Sequence, residues 1–164
     1  MNRLTRSAAA IVGVISGGAA IALGAPTVGA QSKPVGAGKP DSGVVYLAVT
    51  HTANGNEYLA GNSTDKLFGT GAATYVIKAM PTTPGPVKIT ANPVTLFFSN
   101  GTLTGTATAT LTVGAGGAAT ITNGTLTAAN GTESQKGHSV TSTFHGKGSA
   151  TTGTYTITYT GTYT

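Results

Sequence analysis

The chain has no cysteine. That excludes disulfides, a thiolate nucleophile, cysteine-ligated zinc and a lipid-modified cysteine, so any domain it forms is held by its core alone. Charge is nearly as scarce: 8% of the 164 residues are charged, and both arginines, Arg3 and Arg6, stand at the N-terminus. Beyond them seven lysines face Asp41, Glu57, Asp65 and Glu133, a formal charge of +3. These lysines are scattered and lack the interleaved aromatics of a nucleic-acid surface, so no nucleic-acid partner is expected. Helical periodicity is missing throughout. So are the motifs of common chemistry. There is no G-x-S-x-G elbow, no H-x-x-x-H pair and no carboxylate-rich loop. Gly69-Thr70-Gly71 has none of the helix, further glycine or lysine that a phosphate loop needs. No catalytic residue, metal or cofactor is implied.

What is present begins with a leader. Arg3 and Arg6 precede an apolar, small-residue run from Ala8 to Gly24, and Val28-Gly29-Ala30 supplies the small residues of a cleavage site. Residues 1–30 therefore read as a secretory signal peptide. The run is interrupted by Gly13, Gly17 and Gly18 and is shorter than the roughly 20 residues of a transmembrane helix. A secreted or envelope-associated protein with no membrane span after cleavage is expected. Residues 31–43, QSKPVGAGKPDSG, read as a flexible spacer, and 44–164 as a single all-β domain.

From Val44 onward the pattern has period two. Val44 to Thr52 is apolar on both faces until its end, as in a well-buried strand. Ala72 to Met80 alternates and stops at Pro81, Pro84 and Pro86. Val87–Thr90 and Val94–Ser99 read as two runs separated by Pro93. Asn-Gly pairs at 54–55, 100–101, 123–124 and 130–131 signal hairpin turns. The expectation is an antiparallel meander of eight to ten strands. Several strands are long, which suits a small barrel, with a β-sandwich as the alternative. Gly105, Gly153 and Gly161, on the apolar side of long strands, mark places where a barrel wall would bend.

Two strands carry threonine at every even position: TLTGTATATLTV at 102–113 and TTGTYTITYTGTYT at 151–164. Thr104, Thr106 and Thr108 with Thr154, Thr156 and Thr158 then form an outward hydroxyl face. It is either a wet outer wall or a surface for polysaccharide or ice, which requires adjacent, flat strands. The opposite face carries Tyr155 and Tyr159, which with Tyr75 could line an interior for a small apolar molecule, each phenol giving a polar handle. The same tyrosines could equally fill a closed core. By parity His138 points inward near one mouth and His145 outward. Acid–base chemistry would require a histidine within hydrogen-bond reach of an inward tyrosine, Glu57 or Asp65.

The segment GKGSATTGTYTITYTGTYT, the strand TLTGTATATLTV and the Ala-rich leader together resemble secreted all-β proteins of high-GC actinobacteria. They are more distantly similar to barrels of the allene oxide cyclase and dirigent type. The resemblance implies an eight-stranded barrel with a hydrophobic cavity and carries no catalytic residue onto this chain. The functional expectation is a non-enzymatic barrel that binds a small apolar ligand, or an envelope-associated structural module that meets a cell-envelope polymer. The alternatives are a barrel-type cyclase or isomerase, and surface binding through the threonine face.

Overall fold

The computed structural model describes residues 38–78 and 85–164. The leader at 1–30, spacer residues 31–37 and the break at Pro81 and Pro84 lie outside the described residues. Eight strands follow one another: β1 (Lys39–Ala53), β2 (Asn56–Asp65), β3 (Gly69–Lys78), β4 (Gly85–Phe98), β5 (Gly101–Val113), β6 (Ala118–Gly131), β7 (Val140–Ser149) and β8 (Thr154–Tyr163). Each pairs antiparallel with the next, and β8 returns to pair with β1, closing a barrel. Closure removes every sheet edge, which a sandwich would leave exposed.

The count falls at the low end of the expectation because two expected breaks are bulges. Pro93 does not separate two strands: β4 runs through it, with the register to β5 shifting between Ala91 and Val94. Asn123-Gly124 likewise lies inside β6, where the register to β7 shifts between Ile121 and Gly124. A bulge adds residues to one strand and re-aims the side chains that follow. Ala91 and Val94, three apart, both point inward, as do Ile121 and Gly124. Of the four Asn-Gly pairs, Asn54-Gly55 has positive φ at both residues, 52° and 73°, as a type I′ hairpin requires. The β4–β5 hairpin turns instead on Ser99-Asn100, since Phe98 pairs with Gly101.

The barrel starts earlier than the apolar pattern suggests. Lys39 to Gly43, read as spacer, are the first part of β1 and pair with Tyr163 to Tyr159 of β8. The inward positions there are Asp41 and Gly43, so the strand continues without any hydrophobic signal. Gly153 is not a wall residue either: it lies in the β7–β8 turn with φ 65°.

Inward residues form one core: Val45 and Leu47, Leu59, Tyr75 and Ile77, Leu103 and Leu111, Ile121 and Leu126, Tyr155 and Ile157. Threonines take the outward positions of β5, β6 and β8. At one end, where β1 begins and β8 ends, Phe68 packs on Phe98 (4.3 Å between ring centroids) and edge-on to Tyr163 (4.9 Å). Gln135, from a 3-10 turn at Glu133–Gln135, is buried there, donating to Asn100 Oδ1 (2.8 Å) and accepting from the Tyr163 hydroxyl (3.0 Å). Among the described residues no helix is long and apolar enough to cross a membrane.

Candidate functional site

The polar residues of the interior gather near this aromatic plug, and strand register explains how. On one level, Phe144 of β7, Tyr159 of β8, Gly43 of β1 and Asp65 of β2 are successive partners. Gly43 leaves the space that the Tyr159 phenol crosses; a Cβ there would run into the phenol oxygen and the Thr64 carbonyl. Tyr159 thereby donates its hydroxyl to Asp65 Oδ2 at 2.5 Å. On the next level, Ser142 of β7, Gly161 of β8 and Asp41 of β1 are partners in the same way. Gly161 again stands between two polar side chains, and a Cβ on it would lie 2.6 Å from Ser142 Cβ.

Each member has a different hydrogen-bond state. Asp65 is fully engaged: Oδ1 accepts from the backbone of Leu67 (2.7 Å) and Phe68 (2.8 Å), tying down the β2–β3 turn, while Oδ2 holds Tyr159. Asp41 accepts at Oδ1 from the N–H of Ser42 (2.8 Å) and faces Asp65. Ser142 is 3% exposed, and its Oγ has no hydrogen-bond partner. A buried hydroxyl left unpaired costs roughly 1–3 kcal/mol, which makes it an exception among buried polar groups.

Electrostatics follow from that geometry. Burial, reinforced by the neighbouring Asp65 carboxylate, pushes Asp41 up to about 6. Burial and the hydrogen bond to Asp65 raise the Tyr159 phenol far above its ordinary range. Burial alone pushes Tyr75 up to about 12. Tyr155 is raised by burial and then by Glu57.

Two internal voids and one outer groove meet at Phe144, while a larger groove of about 730 Å³ along Tyr46, Lys147 and Tyr155 touches neither carboxyl nor Ser142. The apolar void, about 40 Å³, is lined by Leu47, Tyr75, Ala109, Phe144, Tyr155 and Ile157 among others. The second, about 20 Å³, is bounded by Asp41, Ser63, Asp65, Ser142 and Tyr159, with Tyr75, Phe144 and Ile157 shared with the first. Outside the wall, at the β6 bulge, a groove of about 410 Å³ runs along Asn123, Thr125, Thr143, His145, Thr158 and Thr160. Phe144 lines all three spaces, and Tyr159 lines the groove and the polar void. The Phe144 ring occupies the place a side chain on Gly124 would take. The bulge glycine and this ring thus form the thin part of the wall.

Of the residues singled out by sequence, Tyr75, Tyr155 and Tyr159 do line the interior. His138 does not reach either void. It lies in the loop before β7, stacked on Tyr163 (4.9 Å) with Nδ1 3.0 Å from the Thr164 carbonyl. His51 is exposed and stacks on Tyr58 (4.3 Å), and His145 is exposed on β7. No histidine therefore lines either internal void among the described residues. A void of about 40 Å³ is also well below the roughly 150 Å³ that a dry cavity needs to take benzene. The hydrophobic chamber expected from the tyrosine face is mostly filled by core side chains, Tyr75 and Tyr155 among them.

The threonine faces point outward as expected, but β5 and β8 are not neighbours. Thr154, Thr156 and Thr158 pair with Ala48, Tyr46 and Val44 of β1. Thr108 instead belongs to a cross-strand row through Thr90, Thr125, Thr143 and Thr160, while Thr106 and Thr104 pair with Thr127 and Asn130. Thr108 and Thr160, one from each sequence row, thus lie in one cross-strand row but on strands three places apart in the barrel. Asp41 and Ser142 were missed by sequence reasoning. The available signal was parity, since Asp41 and Gly43 keep step with Val45 and Leu47, and Ser142 with Val140 and Phe144. Compared with known proteins, the chain matches no family model, no curated protein and no solved structure.

Proposed function

We propose that the protein is a non-enzymatic binding barrel that receives the polar head of a small molecule at Asp41, Ser142 and Tyr159, with the body of the ligand in the outer groove at the β6 bulge. The observation that carries this reading is Ser142 Oγ: a buried hydroxyl without a partner, facing a void that two carboxyls and a phenol also border. Ligand sites pair a concave surface with a few convergent polar groups and perturbed titratable residues. The groove, at about 410 Å³, is within the 300–1,000 Å³ range of small-molecule sites, whereas the internal voids are far below it. In the exported setting that residues 1–30 suggest, the partner would be met outside the cell or in the envelope. A cyclase or isomerase has less support, because no histidine stands near the carboxyl pair and the apolar void has no room for a substrate body.

The test is a nuclear magnetic resonance titration of the protein with three four-carbon probes: n-butylamine, n-butanol and butyrate. At least one is expected to shift the amide signals of Asp41, Ser142 and Phe144 in a saturable way. Shifts from none of the three, or shifts spread over the outer threonines only, would remove the reading.

A further inference from the structure

Resting on that reading, we infer that the site selects a protonated primary amine, with the ammonium group held between Asp41 and Ser142. The hydrogen-bond inventory leads to this choice. Asp65 has given its oxygens to two backbone N–H groups and to Tyr159, and Asp41 already meets the Ser42 and Leu67 N–H groups and the Asp65 carboxyl, so the acceptor without a partner is Ser142 Oγ, which borders the same void as the Asp41 carboxyl. An ammonium brings three donors and a charge. The Asp41 carboxylate, the Ser142 hydroxyl and the remaining lone pair of the Tyr159 oxygen are the groups that would receive them.

Charge argues the same way. Two carboxyls face each other with no described lysine or histidine among the groups that act on Asp41. Buried charges require a partner. A carboxylate ligand would add a third negative group, and an alcohol would leave the pair uncompensated. Size then narrows the head group, because a void of about 20 Å³ takes about one water-sized group. An ammonium meets that limit; a guanidinium or a trimethylammonium exceeds it. Phe144 and Tyr159 line both the groove and the polar void, so an amine entering from the groove would have to displace these side chains.

The site's protonation supplies a second readout. The titratable groups facing Asp41 are Asp65 from β2, Tyr159 from β8 and Tyr75 from β3, while β7 contributes the uncharged Ser142. The phenols keep their protons well above neutrality. Asp41 has to lose its proton to hold a cation, so amine affinity rises as pH increases through about 6 and then levels off.

The experiment compares the same three probes on the full chain at pH 5.0 and 7.5, with Asp41→Asn as the variant. At pH 7.5 n-butylamine is expected to bind about tenfold or more tightly than n-butanol or butyrate, the scale of one charge-assisted contact. Its affinity is expected to fall about tenfold at pH 5.0 and in Asp41→Asn. If n-butanol or butyrate binds as well as the amine, the selectivity is wrong while the binding reading survives; if no probe binds, both fall. Should Asp41→Asn not fold, the pH comparison on the unaltered protein decides, and equal amine affinity at both pH values overturns the inference.

Discussion

Asp41 is a carboxyl placed where its ionisation works against the fold. Its folded pKa of about 6 lies above the ordinary 3.8, so the native state holds this proton more tightly than the unfolded chain does. The stabilisation is fully present below about pH 4 and is lost as pH rises through about 6. Asp41→Asn keeps the shape and removes the charge. It is expected to flatten this part of the stability profile and to raise stability at pH 7.5 by about 1 kcal/mol, or roughly 3 °C in Tm. Thermal unfolding of both proteins from pH 4 to 8 measures it; a variant less stable than the parent at pH 7.5 would show that Asp41 is a supporting charge. The same residue illustrates what the sequence withheld. Tyr75, Tyr155 and Tyr159 were legible as inward because apolar neighbours at the same parity flank them. Asp41 sits among Pro, Ser and Gly, where alternation has no hydrophobic marker of its own, and its parity with Val45 and Leu47 gives its direction only once pairing with β8 shows that β1 starts before Val44. The glycines at 43 and 161 were readable as small residues, but their role as gaps between polar side chains depends on cross-strand register, which one strand's sequence does not contain.

At the scale of elements, bulges rather than turns distinguish this barrel from an ideal meander. The Asn123-Gly124 bulge was legible as a turn, since Asn-Gly favours positive φ in either setting, and Asn123 does adopt φ 52°. What separated the two outcomes is that β5 and β7 both continue past this point and hold β6 between them. The bulge has a packing partner in Phe144, whose ring lies over Gly124. Gly124→Ala is therefore expected to force the ring aside and cost about 1–3 kcal/mol by overpacking. Because the clash is with one side chain, adding Phe144→Leu is expected to recover much of the loss, and a double-mutant cycle in urea gives the coupling directly. Additive effects of the two substitutions would separate the ring from the bulge. The threonine rows belong to this scale too. Thr108 and Thr125 share a hydroxyl–hydroxyl hydrogen bond at 2.9 Å, and such cross-strand pairs contribute to sheet pairing. Their alternation in sequence is thus accounted for by a polar wall whose hydroxyls interact between strands.

For the whole molecule, the decisive contact is the return of β8 to β1. A meander needs only neighbouring hairpins, all of low sequence separation, but closing it joins residues near the two ends of the described chain. Closure also builds the site, since Asp41 and Gly43 belong to β1, Tyr159 and Gly161 to β8, and Ser142 to β7. Removing residues through Gly43 would leave Tyr159 to Tyr163 without their β1 partners and delete one carboxyl of the pair. Five paired positions are lost, and with each backbone hydrogen bond worth about 0.5–1.5 kcal/mol net, a chain starting at Val44 is expected to lose several kcal/mol against one starting at Gly38. It also gains an unpaired β8 edge of the kind that templates association. Urea unfolding followed by circular dichroism, with size-exclusion chromatography on the same samples, reads both effects. A shortened chain that stays monomeric with an unchanged midpoint would mean that residues 39–43 decorate the barrel without closing it. In that event the acid pair would be a surface feature, and the wall between groove and polar void would have to be sought elsewhere.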